Sequence, residues 1–120
     1  MPHLTFEYSS NINSTIDFKV LFSDLHNILE NNGININNCK SRAIQRPVYH
    51  IGDGNPQHGF VHLDLRFLDG RTTVQKNDIG QKCLQVLRDS VPYQKGLQIS
   101  IEIGEINRDH YFKFPDNLSK

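Results

Sequence analysis

Pro2 stands out first for its chemistry, because it directly follows the initiator methionine and begins an alternating apolar run. If Met1 is removed, as is usual when the next residue is small, Pro2 becomes the N-terminus and its nitrogen is a secondary amine rather than an amide. An α-amino group titrates at about pH 8 in model peptides, and burial in an apolar pocket lowers that pKa. The sequence therefore predicts a group that can accept and return a proton at neutral pH, where a lysine would stay protonated.

The position of Pro2 alone leaves its role open. A proline in the second position can be no more than a stiff beginning of the chain. If Met1 is retained, the nitrogen of Pro2 is an amide and cannot accept a proton. A retained Met1 would mean either that the protein is incompletely processed or that it is a genuinely inactive homologue. The residues that bear on the choice lie further along the chain.

The first half of the chain predicts a β-α-β unit. A strand is predicted over residues 2–9, where apolar and polar side chains alternate. A helix is predicted from Asp17, because apolar residues recur at helical spacing up to a stop at Gly33. A second strand is predicted over residues 41–50, and Pro47 within it indicates an edge or a bend.

The second half repeats this arrangement. Residues 52–59 predict a loop by their Gly, Pro, Asn and Asp content, and a third strand is predicted over residues 60–67. After an Asp-Gly turn, Thr72 or Thr73 is expected to cap a second helix. A last strand and an aromatic tail follow. The alternating apolar residues of that strand are Leu97, Ile99, Ile101 and Ile103, and the aromatic residues of the tail are Tyr111, Phe112 and Phe114.

The predicted order β-α-β-β-α-β indicates the α+β class, with two βαβ units forming a sheet that has both helices on one face. A chain of 120 residues is typical of a single domain, which we expect to span residues 1–120. A formal net charge of zero removes one deterrent to self-association. The tail aromatics and the partly apolar strands would be better buried between subunits. We therefore expect an oligomer.

The composition argues against several other classes of protein. The chain is 37% hydrophobic and has no basic stripe with interleaved aromatics, so we expect a soluble globular protein without a nucleic-acid partner. A charged N-terminal region followed by a long apolar stretch is missing, so neither a signal peptide nor a membrane partner is expected. Cys39 and Cys83 lack CxxC spacing and are typical of reduced thiols, which predicts a cytoplasmic protein.

Short stretches spread along nearly the whole chain resemble a known family when they are taken together with Pro2. The chain resembles the tautomerase superfamily, whose members use an N-terminal proline as catalytic base, and within it the 5-carboxymethyl-2-hydroxymuconate isomerases. None of the stretches is specific alone, but they occur in the same order as in that family. They are Pro2-His3 with Glu7, Asn11-Ile12, Ser41-Arg42, Gln57-His58, Phe60-Val61-His62, Gly70-Arg71 and Ser100-Ile101-Glu102-Ile103.

This resemblance implies a homotrimer, with sheets around a central barrel-like core and three active sites near subunit contacts. It implies a keto-enol isomerase, an intramolecular oxidoreductase that needs neither a metal nor an organic cofactor. The substrate would be a dienol tricarboxylate, 5-carboxymethyl-2-hydroxymuconate, which is converted to its keto isomer. The reaction moves a proton from the side of the 2-hydroxyl to a distant carbon, in the bacterial breakdown of homoprotocatechuate, which derives from 4-hydroxyphenylacetate.

On this resemblance, Pro2 and Arg71 are the predicted catalytic residues, and Lys40 and Arg42 are the predicted substrate-binding residues. Guanidinium groups bind carboxylates bidentately and stabilise charge that develops on an oxygen, so Arg71 is expected to bind a carboxylate or an oxyanion. Lys40 and Arg42 are two apart on a strand and project from one face, where they could form a second carboxylate clamp. Family members tend to have arginine where this chain has Lys40, and lysine cannot reproduce a planar fork. The exact substrate therefore stays open.

Simpler interpretations of these residues also stay open. Arg71 follows a tight turn and could be a solvated loop residue, while Lys40 and Arg42 could form the outward face of a strand. His58 and His62 are four apart, but no third ligand falls at a recognisable spacing, so a metal site is not expected. The substrate could be another enol acid, and a non-catalytic homologue could retain the trimeric scaffold.

Overall fold

The computed structural model describes residues 2–12 and 15–115. Met1, and with it the prediction of its removal, lies outside the described residues, as do the predicted domain boundaries at residues 1 and 120. The described residues form four strands and two α-helices in the predicted order, which confirms the predicted α+β class. The strands are β1 (His3–Ser9), β2 (Lys40–Arg46), β3 (Gly59–Leu68) and β4 (Leu97–Ile106), and the helices are α1 (Phe18–Asn31) and α2 (Thr73–Ser90).

Two strand boundaries differ from the sequence prediction. β2 ends at Arg46 rather than at residue 50, because Pro47 has no backbone N–H to donate to a strand ladder. β4 continues to Ile106, beyond Ile103 as its last predicted apolar residue. Because β4 is longer than predicted, the turn that follows it lies at the end of the sheet where β3 also finishes.

Both helices begin at side-chain caps that the sequence supplies. The carboxylate of Asp17 accepts a 3.2 Å hydrogen bond from the backbone nitrogen of Val20 at the start of α1. Thr72, rather than Thr73, caps α2, and it forms a reciprocal capping box with Gln75. α1 is followed by Gly33 with φ +86°, a left-handed conformation that glycine adopts without steric cost.

The strand order is β2-β1-β3-β4, in which β1 runs parallel to β2 and antiparallel to β3, and β3 runs parallel to β4. His3 of β1 is paired with Arg66 near the end of β3. Leu68, which ends β3, is paired with Ile106, which ends β4. The beginning of β1 therefore lies at the end of the sheet where β3 and β4 finish, and this topology brings Pro2 close to the turns that follow both strands.

Both helices pack on one face of the sheet, as predicted. Alternate side chains of β1 and β3 are buried against one apolar stripe from each helix and form a single hydrophobic core. Burial of each leucine or phenylalanine in such a core contributes about 1.5–3 kcal/mol. The buried set includes Leu4, Phe6, Leu21, Leu25, Leu29, Val61, Leu63, Leu65, Phe67, Ile79, Cys83 and Leu87.

The opposite face of the sheet, here called the open face, carries the other set of alternating side chains. In β1 and β2 these include His3, which is paired with Lys40, and Thr5, which is paired with Arg42. The helices do not cover this face, so its polar side chains can meet solvent or another subunit. No helix in the described parts of the chain is long and apolar enough to cross a membrane.

Candidate active site

A pocket of about 160 Å³ lies at the end of the sheet where β1 begins and where β3 and β4 finish. Its walls come from the first residue before β1, the segment after α1, and the turns after β3 and β4. They combine apolar surface, amide groups and two guanidinium groups. The residues that line the pocket are Pro2, Gly33, Ile34, Asn35, Asn38, Phe67, Leu68, Arg71 and Arg108.

Pro2 is buried in this pocket and is fixed by the sheet. Its carbonyl oxygen accepts a 3.1 Å hydrogen bond from the backbone nitrogen of Lys40. The neighbouring wall includes Phe67, whose side chain is 1% exposed. An amine at Pro2 would therefore meet an apolar wall and nearby cations, and both disfavour its protonated form.

Arg71 lies in the same pocket, three residues after the end of β3. Its guanidinium carbon lies 5.4 Å from the centroid of the Phe67 ring, within the range of a cation-π contact. One terminal nitrogen donates a long 3.5 Å hydrogen bond to the carbonyl oxygen of Asn32. Its buried Nε has no hydrogen-bond partner among the described residues. A buried donor without a partner is unfavourable, so an anion that accepts from Arg71 would be favoured at this position.

Arg108 is a pocket residue that was not predicted from the sequence. It begins a short 3₁₀ turn, Arg108–His110, directly after β4. The carboxylate and the backbone carbonyl of Asp69 both accept hydrogen bonds from its guanidinium group. Arg108 was missed because the sequence prediction did not extend β4 as far as Ile106. Since β4 continues to Ile106 beside β3, a residue that follows β4 must lie near the residues that follow β3.

Lys40 and Arg42 lie on the open face and are not among the residues that line the Pro2 pocket. The Nζ of Lys40 donates a 3.2 Å hydrogen bond to the carbonyl oxygen of Asn38, which is itself a pocket residue. Arg42 contacts the ring of His3. Lys40 is thus adjacent to the pocket through Asn38, and Arg42 is further along β2. Their joint role as a carboxylate clamp stays a prediction.

His3 connects Arg42 to the segment after β4. A terminal nitrogen of Arg42 lies 3.2 Å from Nδ1 of His3, and the hydroxyl of Tyr111 lies 2.8 Å from Nε2. Because arginine can only donate, Nδ1 must be the acceptor, and the neutral ring carries its proton on Nε2 and donates to Tyr111. Burial lowers the pKa of His3, and the charges of Arg42 and Lys40 lower it further. The neutral ring that this hydrogen bonding requires is therefore also the favoured form.

The histidines considered as metal ligands have other partners. Nδ1 of His58 lies 3.2 Å from the carbonyl oxygen of Ile51, and Nδ1 of His62 lies 2.7 Å from the hydroxyl of Ser100. Within residues 2–12 and 15–115, no group of three or more His, Cys, Asp and Glu side chains is arranged to hold a metal ion.

Four other hollows in the described part of the chain are larger than the Pro2 pocket, with volumes of about 350, 430, 330 and 200 Å³. The first lies in the connection between β2 and β3, and the second is a groove between α2 and β4. Of the four, the smallest is lined by one arginine, Arg88, and the others by none. The Pro2 pocket brings the predicted base together with two arginines, and we take it as the candidate active site.

Comparison with known proteins gives consistent matches over nearly the whole chain. Residues 2–118 match the sequence profile of the family described as 5-carboxymethyl-2-hydroxymuconate isomerase. The chain is 26% identical over 117 residues to the 5-carboxymethyl-2-hydroxymuconate Delta-isomerase of Escherichia coli, with 94% of this chain and 93% of that protein covered.

Solved structures agree with these sequence matches. A 5-carboxymethyl-2-hydroxymuconate isomerase from Deinococcus radiodurans aligns with a TM-score of 0.85 and 30% identity, covering 93% of this chain and 87% of that one. A more distant match is a fused 4-OT described as a symmetric trimer, with a TM-score of 0.67 and 14% identity over 94% of this chain and 92% of that one. This second likeness shows a shared tautomerase-like fold.

Proposed function

The chain belongs to the 5-carboxymethyl-2-hydroxymuconate isomerase family, and on that premise we propose that Pro2 is the acid-base group of a keto-enol isomerase. Membership in this family supports isomerase activity in general. The finer proposal is that the substrate is 5-carboxymethyl-2-hydroxymuconate and that the product is its keto isomer. The observation that carries the proposal is the pocket in which buried Pro2 lies with Arg71.

The proposed reaction moves one proton and changes no net oxidation state. The free secondary amine of Pro2 takes the proton of the dienol hydroxyl, and the resulting negative charge spreads over the oxygen and the conjugated carbons. The protonated amine then returns the proton to a distant carbon, while the double bonds shift and the hydroxyl oxygen becomes a ketone. A base with a pKa near the working pH suits both halves of this transfer.

Arg71 is proposed to stabilise the charge that develops during the transfer. Arg71 lines the pocket, and its buried Nε has no partner in the described residues, so no hydrogen bond from Nε has to break when Arg71 binds an anion. Donors that are already fixed before the reaction contribute most where water is excluded. Lys40 and Arg42 are proposed to hold a carboxylate at the edge of the open face, and Lys40 is adjacent to the pocket through Asn38.

The working form is proposed to be a homotrimer whose subunits complete each active site. A pocket of about 160 Å³ in one subunit is smaller than the roughly 300–1,000 Å³ typical of ligand sites. Phe112 and Phe114 are 88% and 97% exposed, as expected if another subunit covers them. The likeness to a fused 4-OT described as a symmetric trimer is consistent with this assembly. We place the reaction in the cytoplasm, in the breakdown of homoprotocatechuate.

An absorbance assay tests the proposed function. Protein whose intact mass shows that Met1 is absent is mixed with the dienol, and loss of the dienol absorbance is followed. We expect turnover of 5-carboxymethyl-2-hydroxymuconate to exceed that of an arylpyruvate enol, which lacks the additional carboxylates. Equal rates on the two substrates would argue against the proposed substrate. A persistent methionine in protein from the native host would argue against catalysis by Pro2.

A further inference from the structure

Arg108 brings a second guanidinium group to the Pro2 pocket from a different strand. Leu68 and Ile106 are paired where β3 and β4 end, and the backbone nitrogen of Asp69 donates a 3.1 Å hydrogen bond to the carbonyl oxygen of Ile106. The turn that carries Arg71 is thus tied to the strand that leads into Arg108. The backbone segments that carry the two arginines are therefore held together at the end of the sheet.

Asp69 fixes one side of the Arg108 guanidinium group and leaves the other side available. Nε lies 2.7 Å from Oδ1 of Asp69, and Nη2 lies 2.5 Å from its backbone oxygen. A guanidinium group has five N–H donors in a planar fork. Among the described residues, the hydrogen bonds of Arg108 are the two from Nε and Nη2 to Asp69, so its other N–H groups remain without a partner there. The group is therefore held in orientation while it keeps donors for a ligand.

The ion pair with Asp69 does not by itself explain why an arginine occupies position 108. The two side chains are 59% and 41% exposed, and exposed ion pairs contribute little to stability. Arg71 is the more enclosed of the two arginines, with a buried Nε packed beside Phe67. The pocket thus has one enclosed guanidinium group and one at its rim.

We propose that Arg108 binds a carboxylate of the substrate and makes the enzyme selective for dienols that carry several carboxylates; this inference rests on the proposed function. A substrate carboxylate keeps its charge throughout the proton transfer, whereas charge develops on the reacting oxygen only during it. An interaction that is equal in the ground state and the transition state changes KM and leaves kcat unchanged. Arg108 is therefore a specificity-determining residue, and its effect falls on KM.

The test compares Arg108→Gln with Arg88→Gln, which removes an exposed arginine in the last turn of α2, outside the pocket. We expect Arg108→Gln to raise KM for the tricarboxylate dienol about 10- to 100-fold, as for a lost charged hydrogen bond, with kcat nearly unchanged. Its KM for a monocarboxylate enol should stay the same. Arg88→Gln should change neither. Arg108→Lys, which keeps the charge without the planar fork, should be intermediate.

An unchanged KM in Arg108→Gln, or an equal loss for both substrates, would overturn the inference. If Arg108→Gln has a lower melting temperature than wild type, KM is compared between wild type and Arg108→Lys, which preserves the charge.

Binding of tricarballylate, a saturated tricarboxylate with no enol, separates this inference from the proposed function. Wild-type protein that binds tricarballylate through Arg108 but does not turn over the dienol would refute the proposed reaction alone. If the wild-type protein turns over the dienol but Arg108→Gln binds tricarballylate as tightly as wild type does, the role of Arg108 is refuted and the proposed reaction is not.

Discussion

The backbone nitrogen of Lys40 donates a 3.1 Å hydrogen bond to the carbonyl oxygen of Pro2. Chain ends usually fray unless they are tied to secondary structure. This hydrogen bond extends the parallel pairing of β1 and β2 by one residue beyond His3. Pro2 is therefore placed in the pocket by the sheet itself, so its role can be tested by substitutions that leave the fold intact.

Pro2→Ala should lower kcat about 100-fold, within the range ascribed to a positioned acid-base group. Alanine is also small, so methionine removal should proceed, but it leaves a primary amine of different basicity and bulk. The dienol absorbance assay measures the rate, and circular dichroism checks the fold. Pro47→Ala, at a proline outside the pocket, is the matched control and should retain activity. Retention of activity within about threefold in Pro2→Ala would show that the proline nitrogen is not the base.

Arg71→Ala should lower kcat and raise KM, because its partly buried guanidinium group is proposed to bind charge that grows during the reaction. Loss of one preorganised donor costs about 100- to 1,000-fold in kcat. Steady-state kinetics on the dienol provide both parameters, with Arg88→Ala as the control at an exposed arginine of α2. A change in KM alone would assign Arg71 to simple carboxylate binding.

Lys40 is predicted to bind a substrate carboxylate from the edge of the open face. Lys40→Met keeps much of the side-chain length but removes the charge, and it should raise KM about tenfold or more. Lys40→Arg restores a cation with a planar fork and should give a KM at or below that of wild type. If Lys40→Met has a wild-type KM, the hydrogen bond from Lys40 to Asn38 is its whole role.

Acid should destabilise the protein in part through His3, whose pKa is lowered from 6.5 by burial and by the charges of Arg42 and Lys40. Well above pH 6.5, the ordinary pKa of the ring, His3 is neutral in both the folded and the unfolded chain. Below it the unfolded chain binds a proton first, so the free energy of unfolding falls as the pH decreases towards the lower pKa of the folded state. Burial lowers the pKa of His26 in the same direction, so His3→Gln should reduce this loss without abolishing it.

Urea unfolding at about pH 7.5 and about pH 5.5 measures this difference. Wild type should lose more stability between these two pH values than His3→Gln. Equal losses in the two proteins would show that His3 does not contribute to the pH dependence.

The two cysteines should differ in reactivity. Cys83 is fully buried in the core, and burial raises its pKa to about 12. Cys39 is only partly buried, and burial raises its pKa as well. Since the thiolate is the reactive form, a thiol reagent should modify Cys39 slowly in the native protein and Cys83 only after unfolding. Mass spectrometry of the modified peptides measures both, and rapid native labelling of Cys83 would contradict this account of the core.

The alternating and helical apolar patterns were sufficient to predict the element order and the buried face, because period two in β3 and helical spacing in α1 are local properties of the chain. The placement of Pro2 beside Arg71 could not be predicted from local patterns, because it depends on β1 running antiparallel to β3. Arg108 was missed for the same reason. Its position depends on how far β4 continues beside β3, and the Leu68–Ile106 pair is visible only in the folded sheet.

A pH titration of the Pro2 nitrogen, followed by nitrogen NMR on protein with isotope-labelled proline, tests the central claim most directly. We predict a titrating secondary amine whose pKa lies below about 8, the ordinary value for an α-amino group, because Pro2 is buried beside Arg71 and Arg108. A resonance of amide type that does not move with pH would contradict the account, as would an amine with an ordinary pKa.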